Sequence, residues 1–496
     1  MSLLGIDVGS SSVKVGVYRE NGELLKVVRG DVTTHHPQPG WWEQDPEEVW
    51  QTTSVLVRRL VAEDSIKHDP PKALAISASV RENFPADSEG KPLGPCIMAA
   101  DVRGEEYEVP QKGVSLPEPS SFSCGHNRER MDPFNRLLWW QKNHPDILKK
   151  AKFFPGWHEY LALRLCGRFV TDYTIAGRWF IYDLEKKGWE KKRLSEYDVR
   201  EDLIPEIAPW GTIIGDVRKE IAEDWGISTP LKMAVGASDI NCAALGAGVS
   251  EVGDACLVSG SFENQLIPTD EFPTATMLLR GLSVTAHPGK SRHAVWAICP
   301  TGTAVLNWAR NLVNMSIQDL DAGLEKSGSS PSSVLAVPYL SGAFIYWKDG
   351  RKLRGALFGL TLATSQIDIV KAFMESISYD HVNTLSMLRD EGVKVDYVRA
   401  MGGGTRSSWW TQLKSDMMGI PIEIISQPEP GTRGAALLAG QAIKAFHDIT
   451  EVSRAYAGTV SIHEPHPGRA ALHSEKLESY RSAVQNTLST YHMTVP

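Results

Sequence analysis

The run Leu3-Leu4-Gly5-Ile6-Asp7-Val8-Gly9-Ser10-Ser11-Ser12-Val13-Lys14 decides how the rest of this chain is read. An apolar strand ends in one carboxylate, Asp7. A turn of small residues follows, and Val13-Lys14-Val15-Gly16-Val17-Tyr18 alternates back as a second strand, so the segment predicts a β-hairpin. Burying a core does not require an Asp at a strand end beside four small, donor-rich residues. A nucleotide phosphate does: small residues let backbone N–H groups approach the anion, serine hydroxyls add donors, and the carboxylate can hold hydrated Mg²⁺. The plain alternative is a hairpin whose Asp7 is merely exposed, and the partners that choose between the two lie further along the chain.

Working outward, the polar turn Arg19-Glu20-Asn21-Gly22-Glu23 leads into a third antiparallel strand over 24–28. Asp45 and Pro46 read as an N-cap followed by Pro at the first helical position. The helix runs from Glu47 to about Ala62, with Val49, Trp50, Val55, Leu56 and Val61 on its apolar side. Residues 73–79 read as a buried strand, and 96–100 as another that ends at Asp101. Strands followed by helices indicate an α/β class. Between about 105 and 230 the pattern turns helical and aromatic. A second strand–turn–strand, over 254–267, then repeats the layout of the opening hairpin. Two copies of one hairpin predict a duplicated domain with a nucleotide clamped between the halves. Long helical patterns cover 365–391 and 408–418, an Ala- and Leu-rich one covers 434–445, and the polar last thirty residues read as one peripheral helix.

Composition narrows the classes. The chain has 496 residues, more than one core usually serves, so two or more domains are expected. With 42% hydrophobic residues, 23% charged residues and a formal net charge of −8, it lacks the basic block that would make nucleic acid the main partner. No apolar run approaches the roughly 18 residues that span a bilayer, so no membrane partner is expected. The six cysteines (Cys96, Cys124, Cys166, Cys242, Cys256 and Cys299) form no CxxC pair. That pattern, with no leader-like segment before the first strand, fits free thiols in a reducing cytoplasm.

Chemistry concentrates in four places. In Val235-Gly236-Ala237-Ser238-Asp239, a strand stops at a glycine and Asp239 opens an Ala-rich helix. The helix dipole favours its charge, so Asp239 is expected to stay ionised at neutral pH and to suit a base that orients a hydroxyl toward a phosphoryl group; a simple cap is the alternative. Arg81-Glu82 and Asp101 follow successive strands, where open α/β sheets place their ligand crevice, and a guanidinium with carboxylates binds hydroxyls well. A structural ion pair at the sheet rim would look the same. Gly402-Gly403-Gly404 offers bare backbone to a flat base, or is only a tight turn.

Taken in order, Asp7-Val8-Gly9-Ser10-Ser11-Ser12, Gly40-Trp41-Trp42-Glu43-Gln44-Asp45-Pro46, Gly236-Ala237-Ser238-Asp239, and Gly402-Gly403-Gly404 with Trp409, Gln412, Asp416 and Gly434-Ala435-Ala436 resemble the FGGY carbohydrate kinases, the family of xylulokinase and glycerol kinase. Asp172-Tyr173-Thr174-Ile175-Ala176-Gly177 through Trp189, and the run from Tyr339 to Thr361, are similar too, so the likeness covers nearly the whole chain. It implies an actin-like ATPase fold, two ribonuclease-H-like domains around a central cleft. Residues 1–247 would carry the sugar side and first phosphate loop, and residues 248–496 the adenosine side. It implies ATP and Mg²⁺ as cofactors, a small sugar or polyol as partner, and a homodimer. By position Asp239 matches the catalytic base, Asp7 the Mg²⁺-side carboxylate, and Ser10, Ser11, Ser12 and Lys14 the first phosphate contacts. Gly260 and Ser261 match the residues that meet the terminal phosphate, Gly302 a nucleotide-side glycine, and Gly403 and Gly404 the adenosine site. Arg81, Glu82 and Asp101 match substrate contacts.

Two departures bear on specificity. Ala99 stands where the family commonly has Trp; the loss of that aromatic wall enlarges the pocket or leaves another element to fill it, and it favours a four- to six-carbon polyol or ketose over glycerol. Gly260-Ser261-Phe262-Glu263 replaces the usual Gly-Thr-Ser-Gly of the second phosphate turn. Competing readings are a conformational ATPase of the actin or chaperone type, which leaves Arg81-Glu82-Asp101 without a purpose, and a kinase relative impaired by these changes. A nicotinamide-dependent dehydrogenase fails locally: the early turn is not GxGxxG and is followed by a strand where a helix is needed.

Overall fold

The computed structural model describes residues 1–107, 119–127, 131–228, 230–343 and 350–494. The opening hairpin forms as expected: β1 (Ser2–Val8) pairs antiparallel with β2 (Ser12–Arg19), with Asp7 opposite Lys14. β3 (Leu24–Asp31) pairs with the far side of β2. Helix α1 (Pro46–Val61) starts where Asp45 caps it by accepting the Glu47 N–H at 2.9 Å, and it buries Val49, Trp50, Leu56, Val57 and Leu60 against β2 and β3. Val55, expected on that side, is 53% exposed. Six residues beyond Val49, at about 100° per residue, it points across the helix.

β4 (Pro71–Ala78) lies parallel to β1 on its other side, and β5 (Ile213–Asp216) and β6 (Lys232–Ala234) extend the sheet in the order β5-β6-β4-β1-β2-β3. Ala237–Ser238 also pairs with β4 and runs directly into α2 (Asp239–Gly246). The second half builds a sheet from β7 (Gly253–Ser259), β8 (Glu263–Thr269), β9 (Ser283–Ala286), β10 (His293–Cys299), β11 (Val395–Met401), β12 (Ile422–Ile425) and β13 (Thr459–His463), in the order β9-β10-β8-β7-β11-β12-β13. From β3 to β5 in one sheet, and from β10 to β13 in the other, successive pairings run antiparallel, antiparallel, parallel, parallel, antiparallel. The duplication expected from the two hairpins is therefore a duplication of whole sheets.

The second half also contributes α3 (Thr303–Leu312), α4 (Gln366–Asp390), α5 (Ser408–Met418), α6 (Pro430–Ala442) and α7 (Arg469–Thr494). Although α6 comes late in the chain, it lies on β1 and β4 of the first sheet and crosses α2. The crossing is close enough that a Cβ on Gly434 would sit 1.9 Å from the Cys242 carbonyl oxygen, and one on Gly246 1.9 Å from that of Pro430. α2 is thus held between the halves: Cys242 and Leu245 pack with Leu3 and Ala435, while Ile240 and Ala244 pack with Leu266 and Met401.

Two local expectations differ. Only Cys96–Ile97 is a strand; it pairs with Glu43–Gln44 in a ribbon outside the main sheet, so the apolar run 96–100 is not a sheet strand. The last helix is not merely peripheral, because Tyr480 and Val484 are fully buried and the Tyr480 hydroxyl lies 2.7 Å from Asp380. The family-like run from Tyr339 to Thr361 crosses 344–349, which lie outside the described residues.

Candidate active site

The paired strands carry Asp7 and Asp239 to one place. Ser77 on β4 is flanked by Asp7 on one side and by Ala237 on the other, two strand spacings or about 10 Å across. The Ser77 hydroxyl donates to Asp7 Oδ1 at 2.5 Å. On the hairpin's second strand, Lys14 Nζ lies 3.6 Å from Asp7 Oδ2 and 2.9 Å from Glu429 Oε2, just before α6. Burial works against the Lys14 charge, but Asp7 and Glu429 outweigh it and raise its pKa. Asp239 begins α2 and accepts the Ile240 N–H at 2.7 Å. Its backbone is fixed from behind, since the Ser238 N–H donates to the Thr174 hydroxyl at 2.7 Å and Asn241 donates to the Ser238 hydroxyl at 2.8 Å.

Asp239 does not keep an ordinary carboxylate pKa. Its side chain lines the cleft; burial, then the Asp7 charge, push it up to about 7. The expectation of a fully ionised residue fails because the dipole of an eight-residue helix is a smaller effect than desolvation plus a like charge.

Two cavities meet at this carboxylate. One, of about 920 Å³, is lined by Asp7, Lys14, Gly402, Thr405, Arg406 and Glu429 among others. The other, of about 680 Å³, is lined by Ser10, Arg81, Glu82, Ala99, Glu105 and Phe262 among others. Asp239, Asn264 and Trp296 line both. Strand register explains the last two: Asn264 pairs with Ile298, and Trp296 lies two residues before Ile298, so all three share the face of the second sheet that packs on α2. Arg81 reaches across the cleft to within 5.7 Å of the Trp296 ring, and Glu82, 2% exposed, accepts the Arg81 N–H at 2.9 Å.

Other expected site residues lie elsewhere. Asp101 is fully buried and reaches neither cavity. Its oxygens accept from Arg103 at 2.5 and 2.9 Å and from the Trp42 N–H at 2.6 Å, so it holds a loop together. Ser10 faces the Arg81–Glu82 cavity rather than the one beside Asp7, while Ser11 is exposed and Ser12 is buried as the first residue of β2. Gly260 and Ser261 form the tip of the β7–β8 hairpin, held from below by Thr303, whose N–H and hydroxyl both donate to the Gly260 carbonyl at 2.9 Å. Gly302 is buried under that tip, where a Cβ would meet the Gly260 and Ser261 carbonyl oxygens at 2.7 and 2.8 Å. In the triple glycine, Gly402 lines the larger cavity with φ +97°, Gly403 faces open space, and Gly404 is buried against Ser259. Sequence reasoning missed Asn264, Trp296, Arg406 and Glu429. Glu429 carried a signal, an acidic residue before Pro at a helix start like Asp45-Pro46; the strand residues carried none without the pairing.

The model of the FGGY carbohydrate kinases' N-terminal domain matches residues 2–246, and that of their C-terminal domain matches 285–443. The chain belongs to the FGGY family of carbohydrate kinases. It is 27% identical over 496 residues to xylulose kinase of Escherichia coli, covering 98% of this chain and 99% of that one. Ligand-bound xylulose kinase from Lactobacillus acidophilus superposes with a TM-score of 0.89 at 23% identity, over 99% of both chains. Plasmodium falciparum glycerol kinase with ADP gives 0.87 at 23% identity, over 98% of both. The actin-like two-domain fold and a phosphotransferase acting on an alcohol group follow for this chain. Among the described residues, no helix is long and apolar enough to cross a membrane.

Proposed function

We propose that this FGGY kinase transfers the γ-phosphate of ATP to a hydroxyl of an uncharged sugar or polyol of four to six carbons, with Asp239 as the base. The observation that carries the reading is the position of Asp239 on the shared wall of two cavities. The cavity beside Asp7, Lys14 and the triple glycine takes the nucleotide, and the one beside Arg81 and Glu82 takes the acceptor. Asp239 accepts the proton of the acceptor hydroxyl as its oxygen attacks the γ-phosphorus and the bond to ADP breaks; such transfer depends mostly on positioning and electrostatics. Closure of the two halves excludes water, which would otherwise compete as acceptor.

Mg²⁺ fits the residues present. Among the described residues no cluster of three or more metal-ligating side chains exists, but Mg²⁺ usually takes one or two carboxylates and completes its shell with phosphate and water. Asp7, with Glu429 across Lys14, would supply those carboxylates, and the ion would neutralise charge on the phosphates.

The acceptor class follows from the smaller cavity. Ala99 leaves open the wall that an aromatic would fill, and about 680 Å³ accommodates more than three carbons. Among the described residues that line this cavity, Glu82, Glu105 and Asp239 face one guanidinium, that of Arg81, which favours neutral hydroxyls over an acid sugar. We place the boundary between the halves at 247/248. A cytoplasmic homodimer completes the reading; the six cysteines, all unpaired and five of them buried, suit a reducing compartment.

Acceptor-dependent ADP release against glycerol, tetritols, ketopentoses and ketohexoses tests the proposal. One or more of the four- to six-carbon compounds should exceed glycerol, and Asp239→Asn should lower kcat by about 10²- to 10⁴-fold with ATP binding retained. Because its pKa is raised, Asp239 becomes an effective base only as the pH climbs, so kcat/KM should rise through about pH 7 rather than pH 4. A panel silent for every acceptor would support the conformational or impaired reading instead.

A further inference from the structure

Glu263 is completely buried directly beneath the tip of the β7–β8 hairpin. Ser259 and Glu263 are the last paired residues before the β7–β8 turn, so the three-residue tip 260–262 springs from this one pair. Their side chains are joined as well, the Ser259 hydroxyl donating to Glu263 Oε1 at 2.7 Å. Lys414, 3% exposed on α5, closes the staple by donating to Glu263 Oε1 at 2.9 Å and to Ser259 Oγ at 3.2 Å. Its ammonium also lies 3.9 Å from the Trp410 ring centroid, which offsets part of the burial that lowers the Lys414 pKa.

His381 on α4 completes the cluster. Gln265 Nε2 lies 2.6 Å from His381 Nδ1, which as acceptor leaves the proton on Nε2, and Nε2 faces Glu263 Oε2 at 3.4 Å. Burial opposes a charged Glu263, but Lys414 and His381 outweigh it and hold its carboxyl at about 2. The same serine supports the third glycine turn: a Cβ on Gly402 would come within 2.6 Å of the Ser259 carbonyl oxygen, and one on Gly404 within 2.1 Å of its hydroxyl. Two cleft turns from distant parts of the sequence therefore rest on one buried ion pair.

A buried ion pair is poor evidence of stabilisation, because desolvating both charges offsets their attraction and apolar residues of similar volume often do as well. What it supplies is direction: one allowed arrangement of donors and acceptors at the base of a short turn. We propose that Glu263 and Lys414 are positioning residues that fix the 260–262 turn, and through Ser259 the 402–404 turn, in the geometry that grips the terminal phosphate of ATP. This rests on the kinase reading in assigning that turn to the γ-phosphate.

The test is nucleotide binding by calorimetry with Mg²⁺ and no acceptor, so it stands whether or not any sugar is phosphorylated. Parent and the double variant Glu263→Gln/Lys414→Met, which leaves no uncompensated charge, are titrated with ADP and with the non-hydrolysable β,γ-imido analogue of ATP. The double variant should lose tenfold or more in affinity for the triphosphate analogue and less than twofold for ADP. Its thermal midpoint should stay within a few degrees of the parent's. Equal losses for both nucleotides, or no loss, would overturn the proposal. If the double variant does not fold, Ser259→Ala, which removes one hydroxyl and no charge, decides. A selective loss of triphosphate affinity of threefold or more supports the staple, and unchanged selectivity rejects it. In turnover assays with a working acceptor, the double variant should lose kcat with the KM for the acceptor unchanged.

Discussion

The two hairpin turns occupy equivalent places in sheets of the same topology, yet they put their charges on opposite sides. At the first turn Asp7 and Lys14 face the cleft, and Lys14 keeps a quarter of its side chain exposed. At the second, Glu263 and Lys414 lie behind the strands with 0% and 3% exposure. The first pair can exchange partners when phosphate or metal arrives. The second cannot, because both charges are buried among fixed partners, Lys414 and His381 around Glu263 and Glu263 with the Trp410 ring around Lys414. One architectural unit, used twice, has been divided into a turn that handles charge and a turn that holds shape.

Removing one lysine from each turn breaks the comparison most directly. Lys414→Met strands a buried carboxylate and should cost about 3–5 kcal/mol of folding stability by denaturant titration. Lys14→Met, at a part-exposed pair, should cost less than about 1 kcal/mol and act instead on ATP affinity. Similar stability losses at both sites would erase the distinction.

Acid provides a second separation. The Glu263 carboxyl is depressed in the folded protein, so its contribution to stability is complete above the unfolded value, near pH 4.3, and fades as the pH falls toward about 2. Glu263→Gln/Lys414→Met should therefore show a shallower loss of thermal midpoint than the parent between pH 4.5 and 2. A variant at Lys14 should leave that slope intact.

The smallest contrast lies within the triple glycine. Gly404→Ala drives a methyl into the Ser259 hydroxyl and should cost about 1–3 kcal/mol, whereas Gly403→Ala meets nothing within 4 Å and should stay within about 0.5 kcal/mol. Equal effects would mean that the turn does not lean on Ser259.

What the sequence disclosed follows the range of the interactions. The hairpins, α1, α4 and α5 were legible because turns, apolar periodicity and, for α1, the Asp45 cap before Pro46 act within a few residues. The fold and the place of Asp239 were legible from ordered motifs. Trp296 and Asn264 were not, because only the pairing of β8 with β10 turns them toward α2. The pKa of Asp239 was misjudged for the same reason, since Asp7 is remote in sequence and near in space. Asp101 was misplaced because an apolar run of five residues does not reveal its pairing partner, which is a two-residue ribbon and not the sheet.

The return of α6 to the first sheet limits how this protein can be taken apart. A gene fragment ending at residue 247 would leave the small apolar side chains of β1 and β4, with one flank of α2, uncovered to solvent. The complementary fragment would carry α6 with no sheet to lie on. Neither piece should be obtainable as a well-behaved product by itself, and co-expression of both is the arrangement in which each would find its missing surface.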